Sequence, residues 1–572
     1  MKRRDFLHYT GAASLISTGI ISPATLFAQT KMPGFSNFSE LINNLIRLND
    51  ERIPALMDLQ ERNPQSKNFG GVQDSFKIFN PGSTAGLITG LTCSFCSGQS
   101  KYFRDEKLVE SIELAAKYML KIQHADGTID LLSTNFHSTP DTGFVAEPLC
   151  AAFTLLSENQ FERKKEVLAL LEEFLKKAGE AFITGGVHTP NHRWVVSMAL
   201  SRLNSLFPDE RYLKRIDEWL REGIDIDADG QYEERSTYIY TPLTNRCLVT
   251  MAKLLKREEL LEPVRKNIEM SMFYIHPNGE IATEASGRQD QFQIGFMEHY
   301  YLPVRYMAIH DKNSQFSALA KQIEQTVPEK LLGYLVYFLE DPIYFNPLSQ
   351  PQPLADNYTK EFPHSNLVRI RRGNIDASIL GANPTFFTLS KGNAVLASVR
   401  LASAFFGRGQ FKSNSVEKSG DSFILKWEFH WGYFQPLPEN QKPNYEIPFD
   451  EDRKRRRQSE RQHLRAQIKV SEKEGVFELD FELEGTENVP LAIELAFRKG
   501  GILTGVEKLN DPGTYLLKEG TAKYSFQNDE IEFGPGKAEH SWTAIRGGLP
   551  RPDGECVYVC GFTPFSHRIQ FG

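Results

Sequence analysis

Between Asp341 and Pro363 the chain carries five prolines: Pro342, Pro347, Pro351, Pro353 and Pro363. No helix runs through such a segment, because each proline lacks a backbone N–H and clashes with the turn before it. The apolar residues on its two sides follow different periods. Upstream, from about Ser36 to Leu339, the spacing is helical: Leu41, Ile42, Leu45 and Ile46 share one face, as do Leu108, Ile112, Ala115 and Met119. Further helices are predicted at roughly 142–157, 160–178, 191–206, 209–222, 243–256, 258–274, 290–310 and 315–338. Downstream the period is two. Phe423, Leu425, Trp427, Phe429 and Trp431 alternate with Ile424, Lys426, Glu428 and His430, and Val476–Glu484 alternates as cleanly. Segments 491–497, 523–526 and 557–562 are further strand candidates. At 572 residues the chain is too long for one ordinary core. Two domains are expected, a helical one over 29–340 and an antiparallel β-sandwich over 364–572, joined by the proline-rich linker 341–363.

Three of the breaks between helical runs are alike: Asp126-Gly127, Asp229-Gly230 and Asn278-Gly279. Each pair suits a tight turn that needs a positive φ. Each follows a helix and precedes a polar segment, which favours antiparallel helix pairs stacked around a ring, an incomplete (α/α) toroid.

The first 28 residues read as an export signal rather than as part of the fold. Lys2-Arg3-Arg4-Asp5-Phe6-Leu7 is a twin-arginine pattern, a weakly apolar stretch runs from Tyr9 to Ile21, and Leu26-Phe27-Ala28 offers a cleavage point. A periplasmic or secreted protein is expected, with no membrane span, since no later segment approaches about twenty uninterrupted apolar residues. Losing residues 1–28 removes Lys2, Arg3, Arg4 and Asp5, so the net charge goes from −7 to −9. That balance argues against a nucleic-acid partner. The run Asp450–Arg461 is either a solvated loop or a basic edge that attracts a polyanion. Six cysteines in so long a chain make no disulfide scaffold, and the Cys93/Cys96 pair lacks the ligands that would complete a zinc site. The chain has no P-loop, no dinucleotide GxGxxG, no GxSxG elbow and no HExxH, so phosphoryl transfer, hydride transfer and zinc proteolysis have no support.

Four polar clusters carry chemistry. In Asp229–Leu255, Glu233, Glu234, Arg235 and Ser236 lead to Tyr238 and Tyr240, just before an apolar helix. In 188–194, His188, Asn191, His192 and Arg193 surround Pro190, which suits the first turn of a helix. The macrodipole at such an end favours an anion. In 135–143, Asp141 is a candidate N-cap, while Asn135 and His137 are not needed for capping. In 286–290, Arg288 is available to a substrate carboxylate or to Asp290.

This combination resembles the (α/α)-toroid polysaccharide lyases, the group of heparinase II/III-like, alginate and chondroitin lyases. The organisation matches over nearly the whole chain after the signal. The motif match is confined to Asn191-His192 and to DGQYEERSTYIYTPL. The resemblance implies that Asn191 neutralises a substrate carboxylate, that His192 is its acid/base partner and that a tyrosine is the base. Tyr240 is similar to the chondroitin-lyase tyrosine that precedes a small residue and a helix, and Arg288 to the arginine that assists it. Glu234-Arg235-Ser236-Thr237 looks instead like the heparinase-type segment, which leaves Tyr238 as the alternative base. Where the heparinase-like group has a Gly-His-x-His-x-Asp stretch in the β domain, this chain has Phe406-Gly407-Arg408-Gly409-Gln410-Phe411, so no histidine or zinc is implied there. The implied reaction is β-elimination on a 4-O-linked uronic acid in an acidic polysaccharide, without a cofactor. Asn191 with His192 or Arg193 would hold the carboxylate, Arg235 or Arg288 would stabilise the phenolate, and Asn135, His137, His188 and Glu234 would line the substrate. Two other readings stay open: an inverting glycoside hydrolase using Asp141 with Glu233 or Glu234, and an exported glycan-binding protein without catalysis.

Overall fold

The computed structural model describes residues 37–572, so the export pattern at 1–28 lies outside the described residues. They form two compact units, 37–272 with 286–354 and 273–285 with 355–572.

The first unit is built of helices: α1 (Phe38–Asp58), α2 (Pro81–Cys96), α3 (Glu106–Ile122), α4 (Thr139–Glu158), α5 (Lys164–Thr184), α6 (Pro190–Leu206), α7 (Glu210–Leu220), α8 (Tyr240–Leu255), α9 (Leu261–Ser271), α10 (Tyr301–His310), α11 (Ser314–Thr326) and α12 (Leu335–Glu340). Two series alternate along the chain. The even-numbered helices pack on one another in order, α2 on α4, α4 on α6, α6 on α8 and α8 on α10, while α3, α5 and α7 pack outside them. This is the (α/α) toroid expected from the sequence. Composition explains which helix goes where. Residues 194–203 of α6 and 241–252 of α8 are buried without a break, and small polar residues such as Ser197, Ser201, Thr244 and Asn245 fit there. Outer α7 buries only Tyr212 and Ile216 and turns the rest to solvent. No helix among the described residues is long and apolar enough to cross a membrane.

A buried ionic cluster ties the inner helices together. Glu147 of α4 bonds Arg202 of α6 at 2.6 Å, lies 3.7 Å from Arg246 of α8 and accepts from the Tyr337 hydroxyl of α12. Arg202 also holds Glu340 at 2.7 Å. The two guanidinium groups keep the Glu147 carboxyl below its ordinary range despite full burial.

The Asp-Gly and Asn-Gly turns share one geometry. Gly127, Gly230 and Gly279 have φ of +84°, +101° and +87°. In each, the glycine N–H donates three residues back, to His124, Asp227 and His276, whose own N–H groups donate to Thr128, Gln231 and Glu280. Several expectations are corrected. α2 has no predicted counterpart. The run 290–310 is helical only from Glu298, and 315–338 splits into α11, a 3₁₀ turn and α12. Ser138, not Asp141, caps α4, its hydroxyl accepting from the Asp141 N–H at 3.2 Å. Segment 273–285, read as part of the helical domain, belongs to the β unit, whose first strand, Asn357–Phe362, begins inside the predicted linker.

That second unit consists of two sheets, of eight and ten strands, antiparallel except where Thr514–Leu516 runs parallel to Glu555–Phe562. The alternation read in the sequence sets their inner faces: Phe477, Leu479, Phe481 and Leu483 are buried beside Phe423, Leu425, Phe386 and Phe387. The inserted hairpin 273–285 is held by a second ionic cluster. His276 Nδ1 lies 3.1 Å from Asp376 and its Nε2 3.6 Å from Glu284. Arg369 bridges Asp376, the Ser378 hydroxyl and the Phe273 carbonyl, and Arg498 grips Glu280 at 2.7 Å. Burial disfavours the imidazolium, but Asp376 and Glu284 outweigh it and lift the His276 pKa to about 9.

Two stability measurements follow from these clusters. Glu147→Ala leaves buried Arg246 without a carboxylate and Arg202 with Glu340 alone, and lowers stability by roughly 3–5 kcal/mol, read from chemical denaturation. His276 is more basic folded than unfolded, so its contribution is complete below about pH 6.5 and is lost as pH rises through about 9. The thermal-midpoint gap between wild type and His276→Gln is therefore widest near pH 6 and narrows towards pH 10.

Candidate active site

The helix starts of α6 and α8 and the loop 286–290 meet in one place. Pro190 opens α6 with its fixed φ, which puts Asn191 and His192 in the first turn. Both are buried, at 2% and 8% exposure. The Asn191 side-chain oxygen accepts from the Thr189 hydroxyl at 2.7 Å, while its Nδ2 is buried without a hydrogen-bond partner. His192 Nδ1 is likewise buried and unpartnered. Its ring stands edge-on to His188 at 4.7 Å and to Phe144 of α4 at 5.9 Å. Burial, then the nearby His188 and Arg288, push its pKa down to about 3, so the imidazole is neutral at ordinary pH.

The segment 230–240 is fixed on all sides. The Asn267 side chain donates to the Gly230 carbonyl at 2.7 Å, and Tyr232 donates to Asn245 at 2.8 Å. Asp290 Oδ2 accepts from the Ser236 and Ser286 hydroxyls and from the Tyr238 N–H, each at 3.0 Å. The Thr237 N–H donates to Ser286 at 2.9 Å. Asp290 is thus engaged by these donors, and Arg288 pairs with Glu234 at 2.8 Å instead of with Asp290. The Arg288 guanidinium sits 5.6 Å from the Tyr240 ring centre. The next residue, Gln289, donates its amide N–H to the Tyr240 hydroxyl. Sequence reasoning missed Gln289, although it lies inside the 286–290 cluster. Nothing local signals that it reaches back 49 residues.

The two tyrosines differ in partner. The Tyr238 hydroxyl donates to Glu298 at 2.8 Å, and burial together with that carboxylate pushes its pKa far up. Tyr240 is partly exposed. Burial raises its pKa, but the Gln289 hydrogen bond and the Arg288 charge pull the other way. Glu234 is buried and raised by desolvation, opposed by Arg288 and by the Asn191 backbone N–H.

Other predicted residues are engaged elsewhere. Arg193 is held by Glu222 and Asp225, each at 3.0 Å, and its guanidinium lies 4.7 Å from the Trp194 ring centre, so it is a scaffold residue. Asn135 donates to Asp141 at 2.8 Å, and His137 bonds Asp126 at 2.7 Å with its ring stacked on His124 at 3.8 Å. These contacts fix the hairpin before α4. His188 and Arg235 are exposed, and the Arg235 carbonyl accepts from the Gly287 N–H at 2.7 Å. The hydrolase carboxylates are occupied too, Asp141 by Ser138 and Asn135 and Glu234 by Arg288, while Glu233 is exposed. No group of three or more His, Cys, Asp or Glu residues is arranged to hold a metal ion among the described residues.

No protein-family model matches the chain, and no curated protein is similar to it in sequence. Solved structures are similar. Heparinase III matches over 99% of this chain and 88% of its own, with a TM-score of 0.56 at 10% identity. The Streptomyces coelicolor A3 chondroitin AC lyase in complex with chondroitin sulphate matches with a TM-score of 0.56 at 12% identity, over 94% of this chain and 80% of its own. A Paenibacillus xanthan lyase matches with a TM-score of 0.54 at 11% identity, over 94% and 57% respectively. The chain has the toroid polysaccharide lyase fold.

On this lyase fold the cluster brings together a buried amide donor, a neutral imidazole, a guanidinium and a phenol. Donors without protein partners, beside a cation, suit a carboxylate, and a phenol beside that cation can give up its proton. Arg288→Gln removes the positive charge from the Tyr240 ring and raises the phenol pKa further. The check is an ultraviolet difference titration of each protein against its Tyr240→Phe counterpart.

Proposed function

We propose that the chain is a polysaccharide lyase that cleaves a 4-O-linked, uronic-acid-containing glycan by β-elimination. The observation that carries this reading is the buried, unpartnered Asn191 amide beside neutral His192, within the group that Arg288 links to the Tyr240 phenol. A buried donor without a partner costs about 1–3 kcal/mol, a cost removed when a ligand oxygen accepts from it.

The C5 proton of a uronate is weakly acidic because the electron pair it leaves must delocalise into the adjacent carboxylate. Asn191 hydrogen-bonds that carboxylate, with neutral His192 beside it, and so stabilises the charge that develops. Tyr240, as phenolate, takes the C5 proton, the C4–O bond breaks, and the phenol returns a proton to the departing oxygen. Arg288 favours the phenolate, and Glu234 holds Arg288 in place. Gln289 offers Tyr240 an N–H, which can only donate, so the phenolic proton is left to point at the substrate. Tyr238 has the opposite arrangement, its proton held by Glu298, and serves as structure. No step calls on a cofactor. The twin-arginine pattern supports an activity outside the cytoplasm.

The product carries a C4–C5 double bond that absorbs in the near ultraviolet. A panel of alginate, glucuronan, glycosaminoglycan and rhamnosyl-glucuronate polymers is expected to yield that absorbance with at least one member. Tyr240→Phe abolishes it with the fold unchanged by circular dichroism, while Tyr238→Phe retains most of it. Asn191→Ala lowers kcat by about 10²–10³, the usual loss for one donor to a developing oxyanion. Products heavier by one water in mass spectrometry would assign hydrolysis instead.

A further inference from the structure

The strand Ser422–Phe434 of the β unit carries an aromatic row that the proposed chemistry does not use. On its inner face Phe423 and Leu425 are fully packed in the sandwich core. The same face continues through Trp427, Phe429 and Trp431, yet these three are only partly buried, at the margin of a small satellite cluster around Phe405, Leu464 and Val489. Tyr433, past a shift in strand register, is 62% exposed. The opposite face is polar and exposed at Lys426, Glu428 and His430. So the apolar stripe outruns the core that would account for it.

The rings are arranged in order. Trp427 and Phe429 lie 5.9 Å apart with planes 14° off parallel, and Phe429 and Trp431 lie 5.5 Å apart at 15°. Two cations sit against the end of the row, Arg408 at 4.4 Å from the Trp431 ring centre and Arg453 at 4.7 Å. Arg453 is paired with Asp450 at 3.0 Å, whereas no carboxylate lies within ion-pair distance of Arg408 among the described residues. Arg408 is presented by the turn Phe406-Gly407, where Phe406 has a φ of +50° and packs against Tyr433 at 5.6 Å. A bulky residue in that conformation costs on the order of 1–3 kcal/mol and persists where the surroundings hold it. Here the strain places an unpaired guanidinium beside a half-buried aromatic row.

We propose that Trp427, Phe429, Trp431 and Tyr433, with Arg408, form a glycan-binding surface for an acidic oligosaccharide. This rests on the reading of the chain as a lyase of uronate glycans and adds a site to it. The apolar C–H faces of pyranose rings pack on aromatic side chains. The planar fork of Arg408, oriented by its stacking on Trp431, matches a carboxylate or sulfate bidentately. The charge run that follows, Asp450–Arg461, adds less than its composition suggests. Arg453, Lys454 and Arg455 are paired with Asp450, Glu451 and Asp452 one helical turn back. Arg457 and Arg461 of that run have no carboxylate within ion-pair distance among the described residues, but Arg408 is the unpaired cation that lies against the Trp431 ring.

Binding is measured by calorimetry on the full chain carrying Tyr240→Phe, so that no turnover intervenes. Chondroitin sulfate and alginate hexasaccharides are the probes, with cellohexaose as the neutral control. At least one acidic hexasaccharide is expected to bind more tightly than cellohexaose. Trp431→Ala then weakens it about tenfold, and Arg408→Gln, an exposed change that spares the fold, weakens the acidic probe while leaving the neutral one unchanged. Unaltered affinity in both variants overturns the proposal, as does failure of every acidic probe to bind. A change in molecular mass by light scattering without a change in glycan affinity overturns it too, and assigns the row to contact between copies of the chain. If wild type binds the acidic probes at this row but releases no unsaturated product, the surface stands and the lyase reading fails.

Discussion

The toroid depends on neutralising charge in the middle of its inner helices. Helices buried on nearly every side have no solvent face on which to place an ionic group, yet Glu147, Arg202 and Arg246 all lie in that layer. They are tolerated because each charge meets an opposite one from the next helix, and α12 closes the group with Tyr337 and Glu340. The net gain over an apolar core is small by general experience, but the geometric demand is strict. A carboxylate on α4 that must meet guanidinium groups on α6 and α8 sets how those helices lie along one another. With that register set, Phe144 of α4 reaches His192 of α6, and the start of α8 reaches Arg288.

The start of α6 holds two buried polar atoms without structural partners. Most polar side chains in the helical unit have an assignment: Arg193 to Glu222 and Asp225, Asn245 to Asn267, Asp290 to three donors at once. Asn191 Nδ2 and His192 Nδ1 are buried and have none. Asp290 has a special place in this arrangement. By gathering Ser236, Ser286 and the Tyr238 backbone it clips the loop 286–290 to the approach of α8. Arg288 and Gln289, between the clipped ends of that loop, then face Tyr240.

Much of the architecture was legible in the sequence because it rests on periodicity, and the rest was hidden for identifiable reasons. The change from a helical to a twofold period, and the prolines between, required no tertiary information. α2 escaped because its sequence, PGSTAGLITGLTCSFC, has no polar face. Its less buried face carries Gly82, Ser83, Gly86, Thr89 and Gly90, small residues that leave no charged stripe to read. The 290–310 run is helical only in its second half, because Gln291 and Gln293 donate to the Arg288 and Asp290 carbonyls in turns that lead into an irregular path. Asn191, His192 and Tyr240 were legible as clusters at helix starts. Arg193 belongs to the same cluster, but its partners lie 29 and 32 residues downstream and assign it to the scaffold.

The choice between Tyr238 and Tyr240 is the clearest case of chemistry that local sequence does not contain. The two share a residue type and a segment two residues apart, and a motif comparison favours Tyr240 while leaving Tyr238 open. What separates them is the direction of one hydrogen bond each. Tyr238 meets a carboxylate, which accepts, so its proton is sequestered and its ionisation suppressed. Tyr240 meets an amide N–H, which donates, and a guanidinium; both pull against the burial that raises its pKa, and neither takes up its proton. Glu298 and Gln289 lie 60 and 49 residues downstream, on either side of an irregular stretch that only the folded chain places. A phenol keeps its proton engaged or leaves it unclaimed according to whether its neighbour accepts or donates, and here the fold supplies one of each within a span of three residues.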